Sequence, residues 1–155
     1  ALSEFQGTWR RFEVKEVKIK NLKLKIVSDY GHPPTEVMAT LKAAREKWPR
    51  KKIWLIFQPH QYQRTYYLFK DFVKLFKKIK IDHIIITDIY DVAGREEKKI
   101  NKKINAEILV KKIARQNVQY MPINSAEKFV KENMKSGEVL VIMGAGDIYK
   151  LFDNF

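Results

Sequence analysis

The chain has 155 residues, 45% of them hydrophobic and 12% aromatic, and no cysteine. This length and composition predict one domain, 1–155, with a core of its own rather than a disordered chain; disulfides and cysteine-bound zinc are excluded, which fits a reducing, cytoplasmic setting. The 31 Lys and Arg against 18 Asp and Glu leave a net charge of +13, a field that attracts anions such as nucleic acid, acidic lipid or phosphorylated small molecules.

No apolar run approaches the ~20 residues of a membrane-spanning helix. The lead Ala1-Leu-Ser-Glu-Phe5 has no initiator methionine, as expected of a piece of a longer protein. Arg10 to Val17 alternates, with Phe12, Val14 and Val17 as its apolar positions, and predicts a strand. Leu22 to Val27 alternates more cleanly and predicts a second strand, antiparallel to the first. A polar turn follows, Ser28-Asp-Tyr-Gly-His-Pro-Pro-Thr-Glu36, in which Gly31 suits a tight bend at positive φ and the prolines suit a first helical turn. Val37, Met38, Leu41, Ala44 and Trp48 then share one helical face, and Pro49 stops that helix.

Lys52 to Phe57 is nearly all apolar, the mark of a strand buried on both faces. It runs into the junction Gln58-Pro-His-Gln-Tyr-Gln-Arg-Thr65 and a helix to about Lys78. His83 to Asp88 predicts the next buried strand, Arg95 to Lys103 an exposed loop, and Asn105 the N-cap of a helix with Ile108, Leu109 and Ile113 inward. Val118 to Met121 reads as a short strand. Asn124 or Ser125 is the expected cap of a helix that buries Phe129, Val130 and Met134 and ends at Gly137. Glu138 to Met143 is the last buried strand, followed by Gly144-Ala-Gly-Asp147 and a short terminal helix.

Strands alternating with helices predict a Rossmann-like α/β domain: three layers, a mostly parallel sheet, and an antiparallel hairpin strand at the N-terminus. Right-handed crossovers put every strand-to-helix junction along one edge of the sheet. Asp29, Tyr30 and His32, then His60 and Arg64, then Asp88 and Asp91, and finally Gly144 to Asp147 therefore gather at one rim, where open α/β sheets bind their ligands.

The chemistry of these groups narrows the choice. Two imidazoles and a guanidinium suit a carboxylate or phosphate, which arginine grips with a fork of donors. No H-x-x-x-H spacing supports a metal site, and none is expected. Gly144 and Gly146 allow either close backbone approach to an anion or simply a tight turn; the third glycine of a dinucleotide fingerprint is replaced by Tyr149. Asp88 and Asp91 are either cation-orienting groups or ordinary loop carboxylates, and His83 at a strand start reads as structural. The phosphate loop G-x-x-x-x-G-K-[ST] is absent, so this chain alone does not encode an ATP-driven enzyme.

Taken in order, Phe5-Gln-Gly-Thr-Trp-Arg-Arg-Phe-Glu13, Ser28 to Glu36, Phe57 to Thr65, Asp88-Ile-Tyr90 with Ala93-Gly94, and Met143-Gly-Ala-Gly-Asp-Ile148 resemble the C-terminal domain of the Mur ligases over essentially the whole chain. Within the family the similarity is greatest to the branch that joins L-alanine to UDP-N-acetylmuramate; a murein-peptide-recycling branch is the alternative. The resemblance implies a ligase of peptidoglycan precursor synthesis that uses ATP and Mg2+ to form an amide through an acyl phosphate. It also implies partners outside this chain: an N-terminal UDP-binding domain and a central ATPase domain, over which the C-terminal domain closes. By position, the resemblance assigns Arg11 to the ATP phosphates and Asp29 to the ATP ribose. It assigns Tyr30, His32 and Arg64 to the amino acid and the reacting carboxyl group, His60 to the wall of that pocket, and Gly144, Gly146 and Asp147 to its far side. The isolated domain is expected to be inactive and to hold no cofactor tightly.

The chain departs from the family pattern Asp-Asp-Tyr-Gly-His-His-Pro at Ser28 and Pro33, and from Pro-His-Arg-Tyr-Thr-Arg-Thr-Arg at Gln61, Gln63 and Tyr66. Two cationic positions are lost, which leaves amino acid specificity open. Two other readings stand beside the ligase. A basic α/β module binding nucleic acid would show affinity that falls steeply with salt. A degenerate domain kept only for interaction would account for the missing arginines.

Overall fold

The computed structural model describes residues 10–19, 21–92, 100 and 103–155. Among the described residues, six strands form one sheet in the order β1-β2-β6-β3-β4-β5. Strand β1 (Glu13–Ile19) pairs antiparallel with β2 (Leu22–Asp29), and the strands that follow, β3 (Ile53–Phe57), β4 (His83–Ile86), β5 (Val118–Tyr120) and β6 (Val139–Met143), all run parallel to β2. The mostly parallel sheet with its antiparallel N-terminal strand is the architecture expected from the sequence.

Period-2 alternation sorts the central strands between two cores. Val27, Leu55, Phe57, Ile84, Ile86, Val141 and Met143 face helices α1 (Pro34–Lys47), α3 (Phe69–Lys78) and α4 (Ala106–Ile113). Ile26, Trp54, Ile56, Ile85, Leu140 and Ile142 face α5 (Ile123–Asn133) and the terminal helix α6 (Lys150–Asn154). A short helix α2 (Tyr62–Tyr67) precedes α3, and the break between them at Leu68 divides what the sequence presents as one helix. Among the described residues no helix is long and apolar enough to cross a membrane.

Several local expectations change. Val14 is exposed, because Val17 and Ile19 take the inward side of β1 against the second core and the pleat then turns Val14 outward. Phe12 lies just before the strand and stacks on Trp48 at 6.1 Å in the first core. Ile108 is exposed while Ala106 and Leu109 are buried, a rotation of the α4 face by part of a turn. Neither Asn124 nor Ser125 caps α5, which starts at Ile123 behind Pro122 with no side-chain cap. Gly137 is not the helix C′ residue: α5 ends at Asn133, and Gly137 (φ 86°) instead makes the turn into β6, donating its N–H to the Lys23 carbonyl at 2.7 Å. Asn105 does cap α4, accepting from Ile108 N at 2.8 Å. The predicted loop 95–103 lies outside the described residues except for Ile100, which is buried, and Lys103. Phe5 to Trp9 and Ala93-Gly94 lie outside them as well.

At the N-terminal end of the parallel strands, Arg45 of α1 reaches Asp82 at 2.6 Å, and the same carboxylate oxygen accepts from Ile53 N at 2.9 Å. Burial alone would raise the pKa of Asp82, but the Ile53 N–H and the Arg45 guanidinium outweigh it and hold the carboxyl below its ordinary range. A carboxyl whose folded pKa is depressed stabilises the fold above its unfolded pKa, and that gain disappears as pH falls through the folded value. Asp82→Asn is therefore expected to cost up to about 1 kcal/mol at neutral pH, since the pair is partly solvent-exposed. Urea unfolding at two pH values checks this: the gap between wild type and variant should shrink below about pH 3.

Candidate functional site

The parallel register sets Asp29, Phe57 and Met143, the last residues of β2, β3 and β6, side by side, with Ile86 of β4 next to Phe57. The junctions that leave these strands consequently emerge at one edge of the sheet. Beyond the strand ends the pairing continues through a parallel bridge between His60 and Tyr90.

On this edge the imidazoles of His32 and His60 lie 5.2 Å apart between ring centroids. Arg64, one helical turn after His60 on α2, donates from Nη1 to His60 Nδ1 at 3.3 Å. The Tyr30 ring meets His32 edge-on at 5.5 Å, and Tyr90 stacks on His60 at 5.6 Å. Four of the predicted pocket residues, Tyr30, His32, His60 and Arg64, thus form one continuous cluster. Burial lowers the pKa of both histidines; the neighbouring His32 and Arg64 then push His60 down to about 4, so it is neutral at physiological pH.

Asp29 serves the backbone on both sides. Its Oδ1 accepts from Gly31 N at 2.7 Å and its Oδ2 from Phe12 N at 2.9 Å, and the side chain is buried. Gly31 does not adopt positive φ; glycine is needed there because a Cβ would sit 2.7 Å from Asp29 Oδ1 and 3.0 Å from the Met143 methyl group. Arg10 and Phe12 have φ of 55° and 49°, a bend that buries Arg10 and leaves Arg11, predicted to face the ATP phosphates, exposed to solvent.

Arg10 was not singled out from sequence. Its Nη2 donates to the Gly144 carbonyl at 2.5 Å, and its guanidinium lies over the rings of Tyr30 and Tyr149 at 5.1 and 4.7 Å. The entry bend, the β2–α1 junction and the β6 junction are held together by this one side chain. The doublet Arg10-Arg11 was the available signal, but nothing in a linear sequence says which of two adjacent arginines turns inward.

The segment Gly144 to Asp147 packs rather than cradles. A Cβ on Gly146 would lie 2.4 Å from Tyr90 Cγ and 2.5 Å from Gln58 Oε1, and one on Gly144 (φ 153°) would lie 2.9 Å from the Gln58 carbonyl oxygen. Buried Gln58 donates from Nε2 to Asp147 Oδ1 at 3.0 Å and accepts from Ile148 N at 3.2 Å. Gln58 is a second residue that sequence reasoning passed over; its signal was its place immediately after a buried strand. Asp88 and Asp91 are exposed, and Asp88 accepts from the Tyr120 hydroxyl at 2.6 Å, a bond that pushes the Tyr120 pKa up to about 12. His83 lies at the start of β4, at the opposite end of the sheet, stacked on Trp54 at 3.9 Å. Among the described residues no group of three or more His, Asp or Glu side chains is arranged to hold a metal ion.

With this geometry in place, comparison with known proteins is informative. The family model for "Mur ligase, glutamate ligase domain" matches residues 10–146. The chain belongs to the Mur ligase family. The UDP-N-acetylmuramate–L-alanine ligase of Acetivibrio thermocellus is 40% identical over 99% of this chain, and that of Clostridium tetani is 39% identical over 99%. The Mur ligase domain described here spans about a third of the length of these relatives, 31% and 32%. Among solved structures, the UDP-N-acetylmuramate–alanine ligase of Thermotoga maritima superimposes with a TM-score of 0.70 at 26% identity, covering 99% of this chain and 30% of that one.

Proposed function

We propose that this Mur ligase domain is the substrate-closing part of an ATP-dependent UDP-N-acetylmuramate–L-alanine ligase acting in the cytoplasm. The observation that carries the reading is the contact of His32, His60 and Arg64, drawn from two separate junctions, on the ligand-binding edge of the sheet. Arg64 is suited to hold the carboxylate of the incoming amino acid, because a guanidinium offers parallel donors to a planar anion. The imidazoles of His32 and His60, both shifted toward the neutral form by burial, bound the same pocket. Gly144, Gly146 and Asp147 shape its far side through the Gln58 and Tyr90 contacts.

The residues present fit a partial nucleotide contact. Arg11 is free in solvent to meet phosphate, and each oxygen of Asp29 keeps a lone pair beyond the one given to a backbone N–H, enough to accept from a ribose hydroxyl. ATP supplies the activation of the muramyl carboxyl group; the phosphate loop and the ligands of Mg2+ belong to the central domain of the parent protein. The isolated chain is accordingly inactive. The test is phosphate release by the full-length parent given ATP, Mg2+ and UDP-N-acetylmuramate. Release that depends on added L-alanine is the expected result; release driven only by another amino acid would reassign the substrate, and none with any amino acid would overturn the reading.

A further inference from the structure

The hydrogen bond between Arg64 and His60 fixes the protonation of the imidazole. A guanidinium carries donors only. The Nδ1 of His60, which receives the Arg64 Nη1 donor, must therefore offer its lone pair, and the ring's single proton sits on Nε2. The surroundings keep it so. From the β2–α1 junction the ring of His32 approaches to 5.2 Å, and from the β4 junction Tyr90 stacks on the imidazole at 5.6 Å. The titratable groups that act on His60 are His32 and Arg64, and positive charge on either opposes a positive imidazole. Glu36 of α1 acts on His32, with Arg64 opposing it, and Asp88 beyond Tyr90 is bonded to the Tyr120 hydroxyl. A cationic donor and two imidazoles thus meet at one point with no carboxylate bonded to any of them among the described residues.

We propose that capture of an anion at this rim is coupled to uptake of one proton by His60. An anion that engages Arg64 takes over the Nη1 donor, Nδ1 is released, and a proton from solvent adds to it. The imidazolium so formed gives the anion a second cationic donor beside the guanidinium. The inference rests on the reading of Arg64 as the carboxylate- or phosphate-holding group. It adds that affinity is set by pH through a residue that carries no charge before the ligand arrives.

The sign follows from linkage. Without ligand His60 titrates at about 4, and an adjacent negative charge raises that value. A group whose pKa rises on binding tightens the complex at pH below its bound pKa, and the gain is lost as pH climbs through that value. Below the unliganded value the ring is charged in both states and the dependence levels off.

Sulfate is the probe, because it keeps its double negative charge across the range in which histidine titrates. The experiment follows the ring resonances of His32 and His60 in this chain while sulfate is added over a series of pH values. The expected result is a Kd that weakens as pH rises through the interval between the free and the bound His60 midpoints, by up to about tenfold for each unit by which sulfate raises that midpoint, and the midpoint itself should move up by about one unit or more. In His60→Gln the residual pH dependence should be weaker by that same factor. Sulfate binding at the rim with a pH-independent Kd, or a pH dependence undiminished in His60→Gln, overturns the proton coupling and leaves the anion site standing. Sulfate that disturbs neither histidine overturns both the coupling and the assignment of Arg64.

Discussion

Arg64→Ala in the full-length ligase is expected to lower kcat/KM for the amino acid by roughly 10²-fold or more. Two effects add in the same direction. The variant loses the donors that hold the substrate carboxylate, and hydrogen bonds to charged groups are among the strongest single contributions a site can make. It also frees Nδ1 of His60, whose ring is then held only by the stacked Tyr90 and the tilted His32 and is no longer fixed in one tautomer. Arg64→Lys keeps the charge but not the planar fork, so only partial recovery is expected. Steady-state kinetics with the amino acid varied distinguishes the roles: loss concentrated in KM marks substrate holding, and equal loss in kcat marks alignment for attack. Wild-type rates in Arg64→Ala would remove this residue from the pocket.

Gly146→Ala is expected to be strongly destabilising for a single added methyl group. The added carbon would lie 2.4 Å from Tyr90 Cγ and 2.5 Å from Gln58 Oε1. Neither neighbour yields easily: Tyr90 is fixed by backbone bonds to Pro59 and Gln61 at 2.8 Å each, and the Gln58 amide is bonded at both ends, to Asp147 and Ile148. Overpacking of this kind costs about 1–3 kcal/mol, which for a domain of this size lowers Tm by roughly 2–4 °C per kcal/mol. Because Tyr90 backs His60, the displacement should also reach the pocket. A thermal melt of the variant measures the first effect, and the chemical shift of the His60 ring measures the second. A variant that melts with wild type would show that the Gly144–Asp147 segment moves aside freely, and its role as a fixed wall of the pocket would fall.

These outcomes depend on which layer of information placed each residue. Composition and period fixed the class of the fold: apolar runs such as Ile53–Phe57 and Val139–Met143, with amphipathic helices between them, have few arrangements open to them other than a parallel sheet covered on both faces. The same logic carried the strand-end junctions to one edge, so Tyr30, His32, His60 and Arg64 were legible as residues of one rim before any coordinates, while their contact was not. Local signals with two competing solutions were not legible. Val14 and Val17 cannot share one side of a pleated strand, and the packing of Val17 and Ile19 against the second core decided between them. Gly31 and Gly146 read as turn formers, yet what excludes a side chain is the packing around them, the Asp29 carboxylate and the Met143 methyl group at Gly31 and the Tyr90 ring at Gly146.

What the sequence determined by itself was therefore the sheet, its order of helices and strands, and the chemical character of the rim. What only the tertiary structure decided was the partner of each polar group: Arg10 rather than Arg11 as the buried clasp, Asp29 as a tie between two junctions, Gln58 as the brace of the last turn, and His60 as the acceptor of Arg64. The reason is physical. Periodicity depends on residues a few positions apart, whereas the Arg10, Asp29–Phe12 and Gln58 bonds join atoms 17 to 134 positions apart in the chain and exist only once the cores have brought the loops together. The local His60–Arg64 bond is one of several rotamer pairings open to an i,i+4 pair until His32 and Tyr90 pack around it.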